Sequence, residues 1–203
     1  AVLAQATGMS GVLFAAIAAC LPILVTGGIH MDGYLDTVDA LSSHQTREKK
    51  LAIMKDANCG AFAVIYGGVY LLAYAGFAYE VFAAGHILLI CPLFVLSRAL
   101  SGLCAVNLPN ARRSGMLCAF TSGVQRRRAT AALTLVGLAA AAGMVWMSPT
   151  AGGMAAAFAV VSALKYRRFA LAQFGGVTGD TSGFFLQLCE LCGLIGVWIG
   201  GLL

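Results

Sequence analysis

"GGIHMDGYLDTVDAL", residues 27–41, sets Asp32, Asp36 and Asp39 just after an apolar run with no Asp, Glu, Lys or Arg from position 1 to 31. The acids stand at i, i+4 and i+7, so at 3.6 residues per turn they share one stripe of a helix. Adjacent carboxylates on that stripe lie roughly 6 Å apart and destabilise the helix. At an effective dielectric near 20, each such pair repels by about 3 kcal/mol. At membrane depth, each acid adds roughly 2.5–3.5 kcal/mol of insertion cost. The nearest basic residue in sequence is Arg47.

A divalent cation removes both penalties. Carboxylates with little histidine suit a hard ion such as Mg²⁺, which keeps several waters and is often held by one or two carboxylates plus substrate phosphates. The stripe is therefore expected to be a metal site that receives a phosphate-bearing ligand. Its plainer reading is an acidic rim neutralised by arginines from other loops. His30, just ahead of the acids, is expected to serve as a base or as a hydrogen-bond partner to the site.

The rest of the chain explains why acids here are unusual. Of its 203 residues, 60% are hydrophobic and 10% are charged, against about 25% charged in soluble domains. Charges are also absent from 57–79, 81–97 and 129–164. A bilayer crossing needs roughly 20 apolar residues, and one cleaved signal peptide cannot account for so many segments. The pattern predicts an all-α polytopic membrane bundle, one transmembrane domain over 1–203, with about six or more spans: 2–26, 60–79, 81–97, 129–147, 151–164 and 183–203. "SSHQTREKKLAIMKDANCG" reads as an interfacial helix. Residues 99–128 fit a surface path, a partial entry or a short helix pair.

Charge sets the expected topology. All 13 Lys and Arg fall in 47–55, at 98, in 112–113, 126–128 and 165–168. Cytoplasmic loops carry such excess. With hairpin turns at Tyr79-Glu80 and Ser148-Pro149 outside, every basic residue and both polar motifs fall on the cytoplasmic face. The expected location is a bacterial or archaeal plasma membrane.

The second polar motif is "GGVTGD", residues 175–180. Its glycines permit backbone shapes closed to other residues, and exposed N–H groups in such a turn hold anions. Gly176, Thr178, Gly179 and Asp180 are candidate substrate contacts, with Asp180 a further metal ligand; the alternative is a tight turn with Asp180 or Thr181 as a helix N-cap. Glu190 lies inside the last span, where acids face polar cavities, and is expected to reach the same site. Arg98, Arg112 and Arg113 suit phosphate. Lys55 and Asp56 border the second span and are further candidates, with snorkelling and capping as the plainer roles. The seven cysteines lie mostly in apolar stretches and read as packing, Cys189-x-x-Cys192 included.

These residues resemble the cobalamin synthases, the adenosylcobinamide-GDP ribazoletransferases, whose signature is G-G-x-H-x-D-G-x-x-D-T-x-D. "MKDANCGAF" is similar to their K-D-x-x-x-G segment, "NARRSG" to A-R-x-x-G with Arg112 at the arginine, and "GGVTGDTSG" with later Glu190 to their C-terminal motif. The resemblance covers about 20–203. Family members are usually longer at the N-terminus, and Tyr34 and Leu35 stand where small or aliphatic residues are commoner. The resemblance implies a Mg²⁺-dependent phosphotransfer: a hydroxyl of α-ribazole, or of its 5′-phosphate, attacks the cobinamide-bearing phosphate of adenosylcobinamide-GDP, and GMP leaves. His30, Asp32, Asp36 and Asp39 would be catalytic, with Asp32, Asp36, Asp39 and Asp180 on the metal. Membrane lipid is an expected partner, nucleic acid is not, and the oligomeric state stays open. Two rivals share the acidic helix. A CDP-alcohol phosphotransferase expects Ala-Arg where Leu35-Asp36-Thr37 stand, and a cation carrier expects its ionisable groups at mid-membrane.

Overall fold

A sharp elbow decides where the acids go. Helix α1 (Gly11–Val25) and helix α2 (Ile29–Ser42) meet at 92°. The bend needs two consecutive left-handed residues, and Gly27 (φ 63°) and Gly28 (φ 81°) supply them. Thr26 closes α1 by donating its hydroxyl to the Pro22 carbonyl at 2.8 Å. The computed structural model describes residues 8–112 and 115–203; the start of the first predicted span and Arg113 lie outside them.

A short helix α3 (Arg47–Ile53) follows, then α4 (Ala61–Ala83). A 3₁₀ turn at Ile87–Leu89 leads into α5 (Ile90–Asn107). After a short α6 (Met116–Thr121) come the hairpin α7 (Arg126–Met147) and α8 (Pro149–Phe174), and finally α9 (Gly179–Gly201). Helix α9 is the axis of the bundle, packing on α8, α2, α4 and α5. Its seam with α8 is built from small residues. Ala151, Ala155, Ala159 and Ala163 recur every four residues on α8 and are buried, so the backbones approach closely.

The outer surface is apolar. Leu72 is 78% exposed and Trp146 90%. Leucine in that position belongs in lipid, and tryptophan beside the α7–α8 turn belongs at a membrane interface. Among the described residues, four segments are long and apolar enough to cross a membrane: Ala61–Ala83, Ile87–Asn107, Arg126–Met147 and Gly179–Gly201. Helices α1 and α2 satisfy the same requirement only as a pair. At 14 residues, and with three acids, α2 alone is no span.

The predicted boundaries shift for definable reasons. The first hairpin turns at Ala84–His86 rather than Tyr79-Glu80, because Glu80 is exposed and stays on the helix rim. The third helix does not stop at Arg98 but runs to Asn107, since the part-exposed Arg98 is paired with the buried Glu190. The fifth apolar stretch extends ten residues beyond 164 because Lys165, Arg167 and Arg168 point outward while Tyr166 and Ala170 stay buried. That helix is not among the four that qualify by length and composition, which become five with the bent pair, beside the about six or more spans expected from the sequence. Among the described residues, the stretch 99–128 holds the end of α5, a single bridge residue at Asn110, α6 and the first turn of α7.

Candidate functional site

The two polar motifs meet at one end of the bundle, and backbone contacts bring them together. The Val177 N–H donates to the Pro109 carbonyl and the Ala111 N–H to the Val177 carbonyl, both at 2.9 Å. This parallel bridge between Asn110 and Val177 zips the arginine segment to the glycine turn. Gly176 makes it feasible, since a Cβ there would sit 2.2 Å from the Pro109 oxygen. Arg112 emerges directly beyond the bridge. Its Nη1 donates to Asp180 Oδ2 at 2.8 Å and its Nη2 to the Leu51 carbonyl at 2.9 Å.

A second close approach joins α2 to α9. A Cβ on Gly33 would lie 2.7 Å from the Asp180 carbonyl oxygen, and one on Gly183 would lie 2.8 Å from that of His30. Glycine at both positions lets the two backbones touch. Asp180 thereby joins the acids of α2. Burial first, then the charges of Asp32, Asp180 and Asp39, push the Asp36 carboxyl up to about 6, against the opposing pull of Arg112. The Asp39 carboxylate has another duty: it accepts from the Gly60 N–H at 2.5 Å and the Ala63 N–H at 2.9 Å, capping the start of α4. Asp32 is exposed and borders a hollow of about 490 Å³ at the α1–α2 elbow, shared with Gly27, Gly28 and Met31.

Thr178 acts on the fold. It is the N-cap of α9, its Oγ1 accepting from the Thr181 N–H at 3.0 Å, while Thr181 Oγ1 accepts from the Thr178 N–H at 2.8 Å. The capping residue is therefore Thr178 rather than Asp180 or Thr181. Gly179 opens α9 and is exposed, and a Cβ there would meet nothing within 4 Å. Beside it lies a hollow of about 90 Å³ lined by Asn110, Arg112, Gly179 and Asp180 among others. Asn110 Oδ1 and Arg112 Nε are buried without a protein partner among the described residues, as is Thr37 Oγ1. Two orphaned polar groups on one small hollow are a place for a ligand.

His30 is not beside the acids. At 100° per residue it falls on the far side of α2 from Asp32, Asp36 and Asp39. Burial first, then the charge of Arg98, hold its imidazole below the ordinary value. Nor does Glu190 reach up to Asp180. It is 2% exposed, accepts from Arg98 Nη1 and, at 3.3 Å, from Ser97 Oγ. Arg98 also lies 5.1 Å from the Phe94 ring centre. Lys55 and Asp56 are in the exposed turn before α4, where Asp56 Oδ1 accepts from the Asn58 N–H at 3.1 Å. Arg47 stands in no motif of the sequence, yet its guanidinium lies over Gly175 (φ 68°), where a Cβ would be 2.0 Å from the guanidinium carbon. Its spacing carried no signal, because the contact is made with backbone 128 positions away.

Among the described residues, no three His, Cys, Asp or Glu side chains are close enough together to enclose a metal ion unaided. Asp32, Asp36 and Asp180 remain the carboxylates with free oxygens, since both oxygens of Asp39 are engaged. Such a donor set suits an ion that retains waters and shares a ligand's phosphates.

Comparison with known proteins bears on what this site does. The family profile described as cobalamin-5-phosphate synthase matches residues 1–198. A protein of Lachnoclostridium phytofermentans called adenosylcobinamide-GDP ribazoletransferase is 40% identical, over 90% of this chain and 70% of its own length. Similarly named proteins of a Sinorhizobium species and of Pseudomonas fluorescens are 34% and 32% identical, over 88% and 91% of this chain and 71% and 75% of their own lengths. No solved structure matches.

Proposed function

The chain belongs to the cobalamin-5-phosphate synthase family, and on that premise we propose that it is a membrane-embedded, Mg²⁺-dependent transferase joining adenosylcobinamide-GDP to α-ribazole or its 5′-phosphate. The supporting observation is the junction of the two motifs: Asp180 and Arg112 stand against the acidic stripe of α2 at one end of the bundle. Grouping of the basic residues at this end argues for the cytoplasmic face of a plasma membrane.

Phosphoryl transfer needs positioning and charge neutralisation more than covalent help. Asp32 and Asp180 would share Mg²⁺ with the ligand's phosphates, and the ion when bound would neutralise charge on the diphosphate and the departing GMP. Arg112, anchored by Leu51 and Asp180, offers phosphate its unpaired Nε edge, and the exposed N-terminus of α9 at Gly179 adds its N–H groups. Asp36, raised towards neutrality, takes the proton as the ribazole hydroxyl oxygen bonds to the cobinamide-bearing phosphorus. The bond from that phosphorus to the bridging oxygen breaks, and GMP leaves with the electron pair. Arg98, held by Glu190, lies near His30 on the other flank of α2.

The test is GMP release by membranes bearing the native chain or Asp36→Asn, with and without Mg²⁺. The variant is expected to insert normally and lose turnover by about 10²-fold or more. Native turnover in Asp36→Asn would remove it from the mechanism, and undiminished turnover in a chelator would remove the metal.

A further inference from the structure

A second hollow, of about 450 Å³, opens between α5, α7 and α8. Its walls are Leu100, Leu103 and Leu164, and its rim carries Asn107, Arg126 and Arg167. Arg126 is fixed in place: Nε donates to Asn107 Oδ1 at 3.0 Å and Nη2 to the Asn107 carbonyl at 3.1 Å. Its Nη1 has no protein acceptor, and no carboxylate lies within ion-pairing distance of Arg126 or Arg167 among the described residues. The sequence explains the imbalance, because no Asp or Glu occurs between Val81 and Gly179.

The rim also sits at a defined height. From Ser148 back to Arg126 along α7 is about 33 Å, and forward to Arg167 along α8 about 28 Å, at 1.5 Å per residue. Both are close to the hydrocarbon thickness of a bilayer, about 30 Å. The opposite end of the same hairpin bears the exposed Trp146. The two guanidiniums therefore stand at the headgroup level, above leucines at acyl depth.

We propose that this hollow binds one anionic phospholipid, with its phosphate on Arg126 and Arg167 and an acyl chain along Leu100, Leu103 and Leu164. Basic pockets between membrane helices select anionic headgroups. A zwitterionic lipid brings a cation that meets no carboxylate here. Free phosphate would leave the apolar walls unfilled. The site is separate from Arg112 and Asp180 and does not depend on the reaction proposed above.

The experiment reconstitutes the full chain in nanodiscs of equal phosphatidylglycerol and phosphatidylcholine, then counts retained lipid by native mass spectrometry. One phosphatidylglycerol should remain in preference to phosphatidylcholine. Retention should weaken about fivefold in Arg167→Gln and about 25-fold in Arg126→Gln/Arg167→Gln, the effect of roughly one headgroup contact per arginine. Arg127→Gln/Arg168→Gln should change it less than about twofold, since neither side chain lines the hollow and solvent and salt screen their charge. Arg167→Gln leaves the Asn107 bonds of Arg126 intact, so it reads the site even if the double variant misfolds. Equal retention of both lipids, displacement by inorganic phosphate, or an equal loss in the Arg127/Arg168 variant would each overturn the proposal.

Discussion

Substituting Gly33 by alanine tests the junction on which the site depends. The added Cβ would lie 2.7 Å from the Asp180 carbonyl oxygen and 2.8 Å from its Cα. Both are backbone atoms, so no side-chain rotation relieves the contact. Restoring ordinary carbon–oxygen and carbon–carbon separations, about 3.5–4.0 Å, moves the start of α9 from α2 by roughly 1 Å. Overpacking of this kind costs about 1–3 kcal/mol. Displacing Asp180 and Arg112 from Asp36 by about 1 Å lowers turnover on the order of 10²-fold. Gly68→Ala is the control, since its Cβ would meet nothing within 4 Å; it should preserve turnover and gain up to about 1 kcal/mol of helix stability. Thermal unfolding in detergent and GMP release read the two effects separately. Gly33→Ala with native stability and turnover would refute the contact of α2 with α9.

Three further outcomes are expected. Asp39→Ala removes the acceptor for Gly60 and Ala63 and should cost about 0.5–2 kcal/mol by loss of a cap, lowering the melting temperature while sparing turnover far more than Asp36→Asn does. Arg98→Met leaves Glu190, 2% exposed, with only the Ser97 hydroxyl as partner and should destabilise by about 1–3 kcal/mol; Arg98→Met/Glu190→Leu should recover most of that loss in chemical denaturation. In the metal-free chain the Asp36 carboxyl is pushed up to about 6; a nearby Mg²⁺ favours the ionised form, so single-turnover GMP release should decline only below that value and lose this inflection in Asp36→Asn. The sign reverses for stability, because an acid raised in the folded state is least favourable above that value: the metal-free chain should gain from Asp36→Asn at pH 8 and not at pH 4.

The helical class, the spans of α4, α7 and α9 and the pairing of two polar motifs were legible because apolar runs and charge position report directly on lipid. Boundaries at charged residues were not. Arg98 reads as the end of a span until Glu190, 92 positions away, neutralises it, and Lys165 to Arg168 read as an end because one-dimensional hydropathy does not separate two faces of a helix. The roles within the motifs were hidden for a different reason. Asp32, Asp36 and Asp39 look equivalent along the stripe, and only the approach of α4 commits Asp39 to backbone N–H groups. His30 is adjacent to the acids in sequence but opposite them in rotation. Arg47 joins the site through Gly175, a partner that bears no side chain to announce it.

The pairing of Asn110 with Val177 has a consequence for how the chain can vary. Arg112 is addressed to Asp180 by peptide groups, not by the side chains of Pro109, Asn110 or Ala111. The Ala111 side chain can be exchanged with little effect on where the arginine points, provided its amide remains, whereas Asn110 also lines the hollow and bonds Thr121. Lengthening the chain by a single residue between Ala111 and Arg112 would instead turn the guanidinium away, so the segment fixes length more strictly than it fixes side chains.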